Sequence, residues 1–328
     1  MNLVQKAVGQ GGKLAPIAIP DTFGGMNPSV FIDKDGDILV NVRVVNYILY
    51  HSENEQRFPS RWGPLAYLHP EKDQRLVTEN YLCRLNSDLE MTDYARVEML
   101  DLHTPIWEFV GLEDARLVQW EGKYYLIGVR RDTTTTGVGR MEYSHIEINK
   151  EGWSIKETKR VRIPAPKDDG SYCEKNWYPI LDRPYHFIKW TMPTEMVKAD
   201  PEEPKIEQIF VKETPPAPAD QRGGTQAIKW GNMYIAITHE VNLFKNYLQQ
   251  KDGIYRHRLV LWDDQFNFVG LSNAFSFLDA RIEFCVGAAI YNGDLLISFG
   301  FQDNAAFVLR TPKKVVEDLI LEALIYEN

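Results

Sequence analysis

Short apolar runs recur along the chain in pairs, each pair joined by a tight polar turn and opened by polar side chains. The first begins at Asn27-Pro28-Ser29, turns at Asp35-Gly36-Asp37 and returns through residues 38–43 to Asn46 and Tyr47. The second begins at Glu113, turns at Glu121-Gly122-Lys123 and returns to Arg130, Arg131 and Asp132. The third begins at Glu174-Lys175-Asn176-Trp177, turns at Asp182-Arg183-Pro184 and returns through residues 185–190. The fourth begins at Arg222-Gly223-Gly224-Thr225, turns at Gly231-Asn232 and returns to His239 and Glu240; the fifth begins at Glu283, turns at Asn292-Gly293-Asp294 and returns to Asp303. Apolar runs of this length, rich in aromatic and β-branched residues and bounded by Gly, Asn and Asp, read as strands. Five such units at intervals of roughly 45–85 residues leave room for four strands each. The pattern predicts an all-β fold, a five-bladed β-propeller in which residues 1–328 form one catalytic domain. How the ring closes is left open.

Helical spacing enters at the C-terminus, where Val315, Val316, Leu319, Ile320 and Ala323 predict a short helix over about residues 312–326 packed on the propeller. Residues 51–75, with Arg57, Arg61, Trp62 and Lys72, read as a rim loop, and residues 133–139 as a loop at the mouth of the second blade. The Pro215-Pro216-Ala217-Pro218 run reads as a connector between blades, since a new unit follows it directly.

Composition narrows the function classes. The 328 residues are 44% hydrophobic and 25% charged, which supports a folded chain with a sizeable core. A formal net charge of -9 argues against a general nucleic-acid surface but not against a local basic pocket. Cys83, Cys173 and Cys285 lie far apart, implying a reducing compartment without a disulfide framework or zinc site. No apolar run is long enough for a membrane span, and the N-terminus lacks a signal-peptide pattern, so a cytoplasmic location is expected.

In a propeller the first strand of each blade lines the central channel, so the polar groups opening the units converge at one end of the axis. Glu113-Asp114-Ala115-Arg116 is the richest of these openings. Strand alternation predicts that Glu113 and Asp114 face opposite ways, and taken alone the stretch reads as an ion pair with Arg116. Set in a ring it joins Asn27, Arg43, Asn46, Arg131, Lys175, Asn176, Arg222, His239, Glu240, His257, Arg258, Glu283 and Asp303. Carboxylates and amides bind sugar hydroxyls and can supply a proton, while Lys175, Arg222 and His239 form a donor cluster for phosphate. The spacing of histidines and carboxylates points to no metal site and no organic cofactor.

The segment Gly111-Leu112-Glu113-Asp114-Ala115-Arg116 followed by Gly122-Lys123-Tyr124-Tyr125 resembles the Glu-Asp-Pro-Arg hairpin of glycoside hydrolase family 130. That family comprises five-bladed propellers that include inverting β-mannoside phosphorylases; the related mannosyltransferase/phosphorylase family 108 has the same kind of propeller. Asn27-Pro28-Ser29, Asn41-Val42-Arg43, Glu174-Lys175-Asn176, Arg222-Gly223-Gly224, Thr238-His239 and Phe299-Gly300-Phe301-Gln302-Asp303 occur in the family's order, and several of these pieces resemble a divergent branch. Ala115 stands where the family has proline. The resemblance implies a carbohydrate substrate, inorganic phosphate or a sugar phosphate as co-substrate, and Asp114 as general acid acting through a hydroxyl of the bound sugar. It places Asn27, Arg43 and Asp303 around that sugar, and Lys175, Arg222, His239 and Lys189 around phosphate. Asn46, Glu113, Arg116, Asn176, Glu240 and Glu283 are further expected substrate contacts, Glu113 and Arg116 holding the turn. Alternatives are transfer from a nucleotide sugar, hydrolysis with Glu240 or Glu283 activating water, and carbohydrate binding without turnover. Oligomeric state is not read from the sequence, and the stretches after Asn46 and around residues 243–256 read as loops that select the acceptor.

Overall fold

The computed structural model describes residues 1–22, 24–48, 66–67, 75–107, 109–166, 172–245 and 251–325. Helix α1 (Leu3–Gly9) and strand β1 (Lys13–Ile17) precede the first blade, which begins with β2 (Gly25–Ile32) and β3 (Ile38–Val45). After the short pair β4 (Tyr47–Ile48) and β5 (Ala66–Tyr67), it continues through β6 (Leu76–Leu85) and β7 (Met91–Glu98), with β8 (Phe109–Val110) parallel to β6. The second blade is β9 (Glu113–Trp120), β10 (Lys123–Arg130), β11 (Arg140–Asn149) and β12 (Ser154–Arg162). The third is β13 (Tyr178–Pro179), β14 (His186–Trp190), β15 (Thr194–Ala199) and β16 (Ile206–Lys212). The fourth is β17 (Ile228–Trp230), β18 (Met233–Lys245), β19 (Lys251–Trp262) and β20 (Phe268–Leu271). The last holds β21 (Glu283–Tyr291), β22 (Asp294–Phe301) and β23 (Ala305–Thr311), followed by helix α2 (Lys313–Leu324).

These strands make five antiparallel blades, as the paired apolar runs predict. Closure is supplied by β1, which pairs antiparallel with β23 from Lys13↔Arg310 to Ile17↔Ala306 and becomes the outermost strand of the fifth blade. A ring closed this way joins first and last sequence segments and covers an edge that would otherwise stay unpaired. The outer strands of the first two blades also meet, β7 running parallel to β12 at Val97 and Glu98. Residues 243–245 and 251–256, expected to form part of a loop, instead extend the β18–β19 pairing; residues 246–250 lie outside the described residues. The expected rim loop at 51–75 lies almost wholly outside them too.

Apolar faces pack between neighbouring blades. Trp120, Tyr125, Tyr143, Trp177 and Phe187 form one fully buried aromatic cluster between the second and third blades, with edge-on contacts such as Trp120 to Phe187 at 5.6 Å. Beneath the fourth and fifth blades, Leu3, Val4 and Ala7 of α1 meet Val315, Val316, Leu319 and Ile320 of α2. The sequence reading anticipated α2 but not α1, whose seven residues, about two turns, carry too few apolar positions to stand out. Among the described residues no helix is long and apolar enough to cross a membrane.

One polar tie between blades is built around Lys150, in the turn after β11. Its ammonium lies 2.6 Å from Asp33, 2.8 Å from Asp35 and 2.7 Å from Asp37, all in the β2–β3 turn, and Tyr124 donates to Asp33 at 2.9 Å. Burial alone would lower the Lys150 pKa, yet the three carboxylates raise it well above the usual range. Lys150→Met leaves three like charges around an apolar end. Denaturant unfolding is expected to show a loss of about 2 kcal/mol at neutral pH, shrinking as pH falls and the carboxylates protonate; a cost independent of pH would contradict this role.

Candidate active site

The site begins with backbone geometry at the strand ends. Asn27 (φ 45°), Asp114 (φ 48°), Asn176 (φ 61°) and Asp303 (φ 49°) all adopt the left-handed conformation that L-residues usually avoid. Irregularities in the strand register accompany two of them, between Met26 and Ser29 in β2 and opposite Glu113 in the β9–β10 pair. Such conformations cost about 1–3 kcal/mol each and persist only where the surrounding packing holds them. The consequence is a correction to strict strand alternation. Glu113 and Asp114 do not face opposite ways: both approach Arg43, at 3.8 Å and 2.8 Å.

A second correction concerns Arg116. Its guanidinium pairs with neither carboxylate of its own strand. It is fully buried and donates to the carbonyl of Gly224 through Nε and Nη2 at 2.9 and 2.7 Å, to the backbone carbonyl of Asp114 at 2.7 Å, and to Asn176 Oδ1 at 3.3 Å. Arg116 therefore ties the second, third and fourth blades together below the mouth, and its donors are spent there.

Asp114 is held from the first blade. Its Oδ1 accepts from Arg43 Nη1 at 2.8 Å and from Asn27 Nδ2 at 2.8 Å. Arg43 is itself fixed by the Tyr47 hydroxyl at 2.5 Å and Thr78 at 3.3 Å. Burial pushes the Asp114 carboxyl up, but Arg43, Asn27, Arg116 and Lys175 outweigh it and bring its pKa down to about 2. Asp303 has the opposite environment. It is only partly exposed, has no hydrogen bond or ion pair among the described residues, and burial with the nearby Asp114 charge raises it to about 6 despite Arg43.

The basic residues expected to cradle phosphate fare differently from one another. Lys175 is exposed, makes no hydrogen bond or ion pair among the described residues, and acts electrostatically on both Asp114 and His239. Arg222 is engaged by Asp220, at 2.8 and 2.7 Å. Lys189 is enclosed between Glu174 at 3.6 Å and Glu195 at 3.5 Å, inside the third blade. His239 is buried, stacked on Tyr255 and edge-on to Phe284; burial, then His257 and Lys175, hold it well below the usual imidazole range and neutral. Its Nδ1 has no hydrogen-bond partner among the described residues.

Arg131 lies beside Glu113 and Cys173. Its guanidinium lies 5.8 Å from the rings of both Phe109 and Tyr172, contacts Cys173 Sγ at 3.4 Å, and leaves Nε buried without a hydrogen-bond acceptor among the described residues. Glu113 stands 3.8 Å away, outside hydrogen-bond range. Sequence reasoning missed Tyr47 and Tyr255. Tyr255 stacks on His239 only because β18 and β19 pair in the register His239↔His257, which no local motif announces.

Other expected contacts are turned into the protein. Asn46 accepts from the Val77 amide and donates to the Arg75 carbonyl. Glu240 binds Gln221 at 2.7 Å and Arg258 at 2.9 Å. Glu283 is fully buried and accepts the amides of Phe277, Leu278 and Ala280 at 2.6, 2.7 and 3.0 Å. His257 is fully buried between Phe275 and Phe277. The Gly223-Gly224 pair serves close packing: a Cβ at Gly223 would fall 1.5 Å from the Asn176 carbonyl oxygen, and one at Gly224 would fall 2.1 Å from that of Ile237. Of the expected residues, Asp303 and Lys175 make no hydrogen bond or ion pair among the described residues, and the Asp114 carboxylate is held by Arg43 and Asn27 alone.

No protein-family model matches the sequence, and no curated protein matches it. Solved structures do match in fold. A β-1,2-mannobiose phosphorylase from Listeria innocua, in complex with β-1,2-mannobiose, is 13% identical with a TM-score of 0.52, covering 94% of each chain. A glycosyl hydrolase from Bacteroides ovatus is 11% identical with a TM-score of 0.51, covering 88% of this chain and 84% of its own. The fold implied by the resemblance to glycoside hydrolase family 130 is thus the fold found.

Arg131 and Cys173 give a chemical handle on the mouth, because Cys83 and Cys285 are fully buried while Cys173 is partly exposed. Iodoacetamide is expected to alkylate Cys173 alone, and inorganic phosphate is expected to slow that alkylation several-fold, with Arg131→Met abolishing the protection. Equal rates with and without phosphate, read by mass spectrometry, would place the anion elsewhere.

Proposed function

We propose that the protein is an inverting glycoside phosphorylase, or runs that chemistry in reverse as transfer from a sugar 1-phosphate, on β-mannoside-like linkages. The reading is supported by the carboxylates of Asp114 and Asp303 together with two cations, Lys175 and Arg131, that have no carboxylate hydrogen-bond partner among the described residues. Asp114, Asn27 and Asp303 offer acceptors and donors to sugar hydroxyls, and Lys175 and Arg131 offer donors to an anion beside them.

The chemistry follows from what each group can do. In phosphorolysis a phosphate oxygen attacks the anomeric carbon, and the glycosidic C–O bond breaks with its electron pair moving to the leaving oxygen. That oxygen takes a proton delivered by Asp114 through a hydroxyl of the bound sugar. Phosphate is already anionic and needs no base, so a single displacement inverts the anomeric centre. In synthesis Asp114 takes the acceptor's proton by the same route, and its ionised state suits it to that direction. Hydrolysis has less support, since it needs a carboxylate free to activate water. The two residues considered for that task, Glu240 and Glu283, are held by Gln221 and Arg258 and by three backbone amides.

Incubating the protein with mannose 1-phosphate and mannose or short mannosides is expected to release inorganic phosphate. Asp114→Asn is expected to lower the rate by about 10³-fold, with the circular-dichroism spectrum unchanged. Turnover of GDP-mannose in place of the sugar phosphate would favour a nucleotide-sugar transferase, and full activity of the variant would remove Asp114 from proton transfer.

A further inference from the structure

The carboxylate of Glu113 lies between two guanidiniums that belong to different blades. Its Oε2 is 3.8 Å from Nη2 of Arg43 in β3, and its Oε1 is 3.8 Å from Nε of Arg131, just after β10. Both separations exceed hydrogen-bond range, and Glu113 makes no side-chain hydrogen bond among the described residues. Yet only 13% of this side chain is exposed. A carboxylate so enclosed ordinarily closes on at least one donor. Here it is shared by two and closed on neither.

The backbone holds it in that position. The left-handed conformation at Asp114 (φ 48°) sends both acidic side chains towards Arg43, and the strand register shifts opposite Glu113. Gly128 lets the neighbouring strand come close, since a Cβ there would fall 2.4 Å from the Glu113 carbonyl oxygen. The two guanidiniums are unequally occupied. Arg43 places Nη1 on Asp114, Nη2 on Tyr47 and Nε on Thr78, and a guanidinium Nη2 carries a second hydrogen, which Glu113 can accept. Arg131 touches Cys173 Sγ and two aromatic rings, and Glu113 is the only carboxylate within ion-pair distance of it among the described residues. Burial alone would lower the pKa of both guanidiniums, and Glu113 is among the charges that raise them.

We infer that Glu113 is a relay carboxylate between two sides of the mouth: it holds Arg131 in the free protein, yields it to an incoming phosphate-like anion, and then closes on Arg43. This role takes from the proposed function only the arrival of an anion at Arg131. Such an anion offers Arg131 a closer partner than a carboxylate at 3.8 Å and repels Glu113. The open direction is towards Arg43, where a movement of about 0.6 Å brings Oε2 within about 3.2 Å of Nη2. That bond adds a fourth acceptor around Arg43, which itself fixes Asp114 at 2.8 Å. Anion binding thus orders the Arg43–Asp114 pair without touching it, and by linkage a ligand that orders Arg43 tightens anion binding. Glu113 is therefore a positioning residue, acting through Arg43.

The test is a titration of the full-length protein with inorganic phosphate, followed through arginine Nε–H signals by nitrogen-15 NMR. Arg43→Lys and Arg131→Lys assign the two resonances, with through-bond correlation doing so where a variant does not fold. In the wild type, phosphate is expected to shift the Arg131 signal saturably and the Arg43 signal with the same midpoint. In Glu113→Gln, which keeps the shape and removes the charge, Arg131 is expected to saturate at several-fold lower phosphate while Arg43 stays still; Glu113→Ala serves in its place if that variant does not fold. An Arg43 signal unmoved in the wild type, an equal Arg43 response without the Glu113 charge, or an Arg131 signal that phosphate never moves would overturn the relay. No sugar enters this experiment, so the relay and the glycoside reading fail separately. The expected titration without turnover of mannose 1-phosphate removes the glycoside reading alone, and turnover with a silent Arg43 removes the relay alone.

Discussion

The structure depends on how five inner strands satisfy their polar groups around a narrow axis. The side-chain amide of Gln226, fully buried, does much of this. Its Nε2 donates to the Leu117 carbonyl at 2.9 Å and to Val30 O and Ser29 Oγ at 3.3 Å, while its Oε1 accepts from the Ala288 amide at 3.0 Å. One side chain just ahead of β17 thus reaches inner strands of the first, second and fifth blades. Ser298 adds a second tie, donating to the Pro28 carbonyl and accepting from the Val30 amide at 2.9 Å. Buried polar groups left without partners would cost about 1–3 kcal/mol each, so these ties fix the inner strands against one another in depth as well as in order.

That registration is what turns scattered sequence positions into a site. With β2, β9 and β21 locked at the axis, the strand openings emerge at one level, and left-handed residues there aim side chains across blade boundaries. Arg43 of the first blade meets Asp114 of the second, and Arg116 of the second meets Gly224 before the fourth. The basic groups then divide into two kinds. Arg116, Lys189 and Arg222 are absorbed by protein acceptors; Arg131 keeps a looser ion pair with Glu113 at 3.8 Å and a contact with Cys173 Sγ, and Lys175 makes no hydrogen bond or ion pair among the described residues.

Much of the fold was legible because its signals are local. Paired apolar runs and Gly-Asn-Asp turns mark hairpins without reference to anything distant, and the C-terminal helical spacing marks α2. Closure by β1 was not legible, since residues 13–17 carry no signal naming β23 as partner. In the site, Asp114, Asn27, Arg43 and Asp303 could be brought together from their positions at strand ends. The facing of Glu113 could not, because alternation holds only for regular strands and a left-handed residue breaks it at Asp114. Glu240, Glu283 and Lys189 sit at similar sequence positions but point inward, and only three-dimensional neighbours decide which way a polar residue at a strand end turns.

In the proposed reading the Arg43–Asp114 pair serves sugar binding as well as stability. A double-mutant cycle with Arg43→Met and Asp114→Asn, read by denaturant unfolding and by calorimetric binding of mannose, tests it most directly. Each single change is expected to destabilise by about 3 kcal/mol, because it strands a buried charge or its partner. The double change is expected to regain most of that stability and none of the binding. Additive stability losses, or sugar binding that survives the double change, would contradict it.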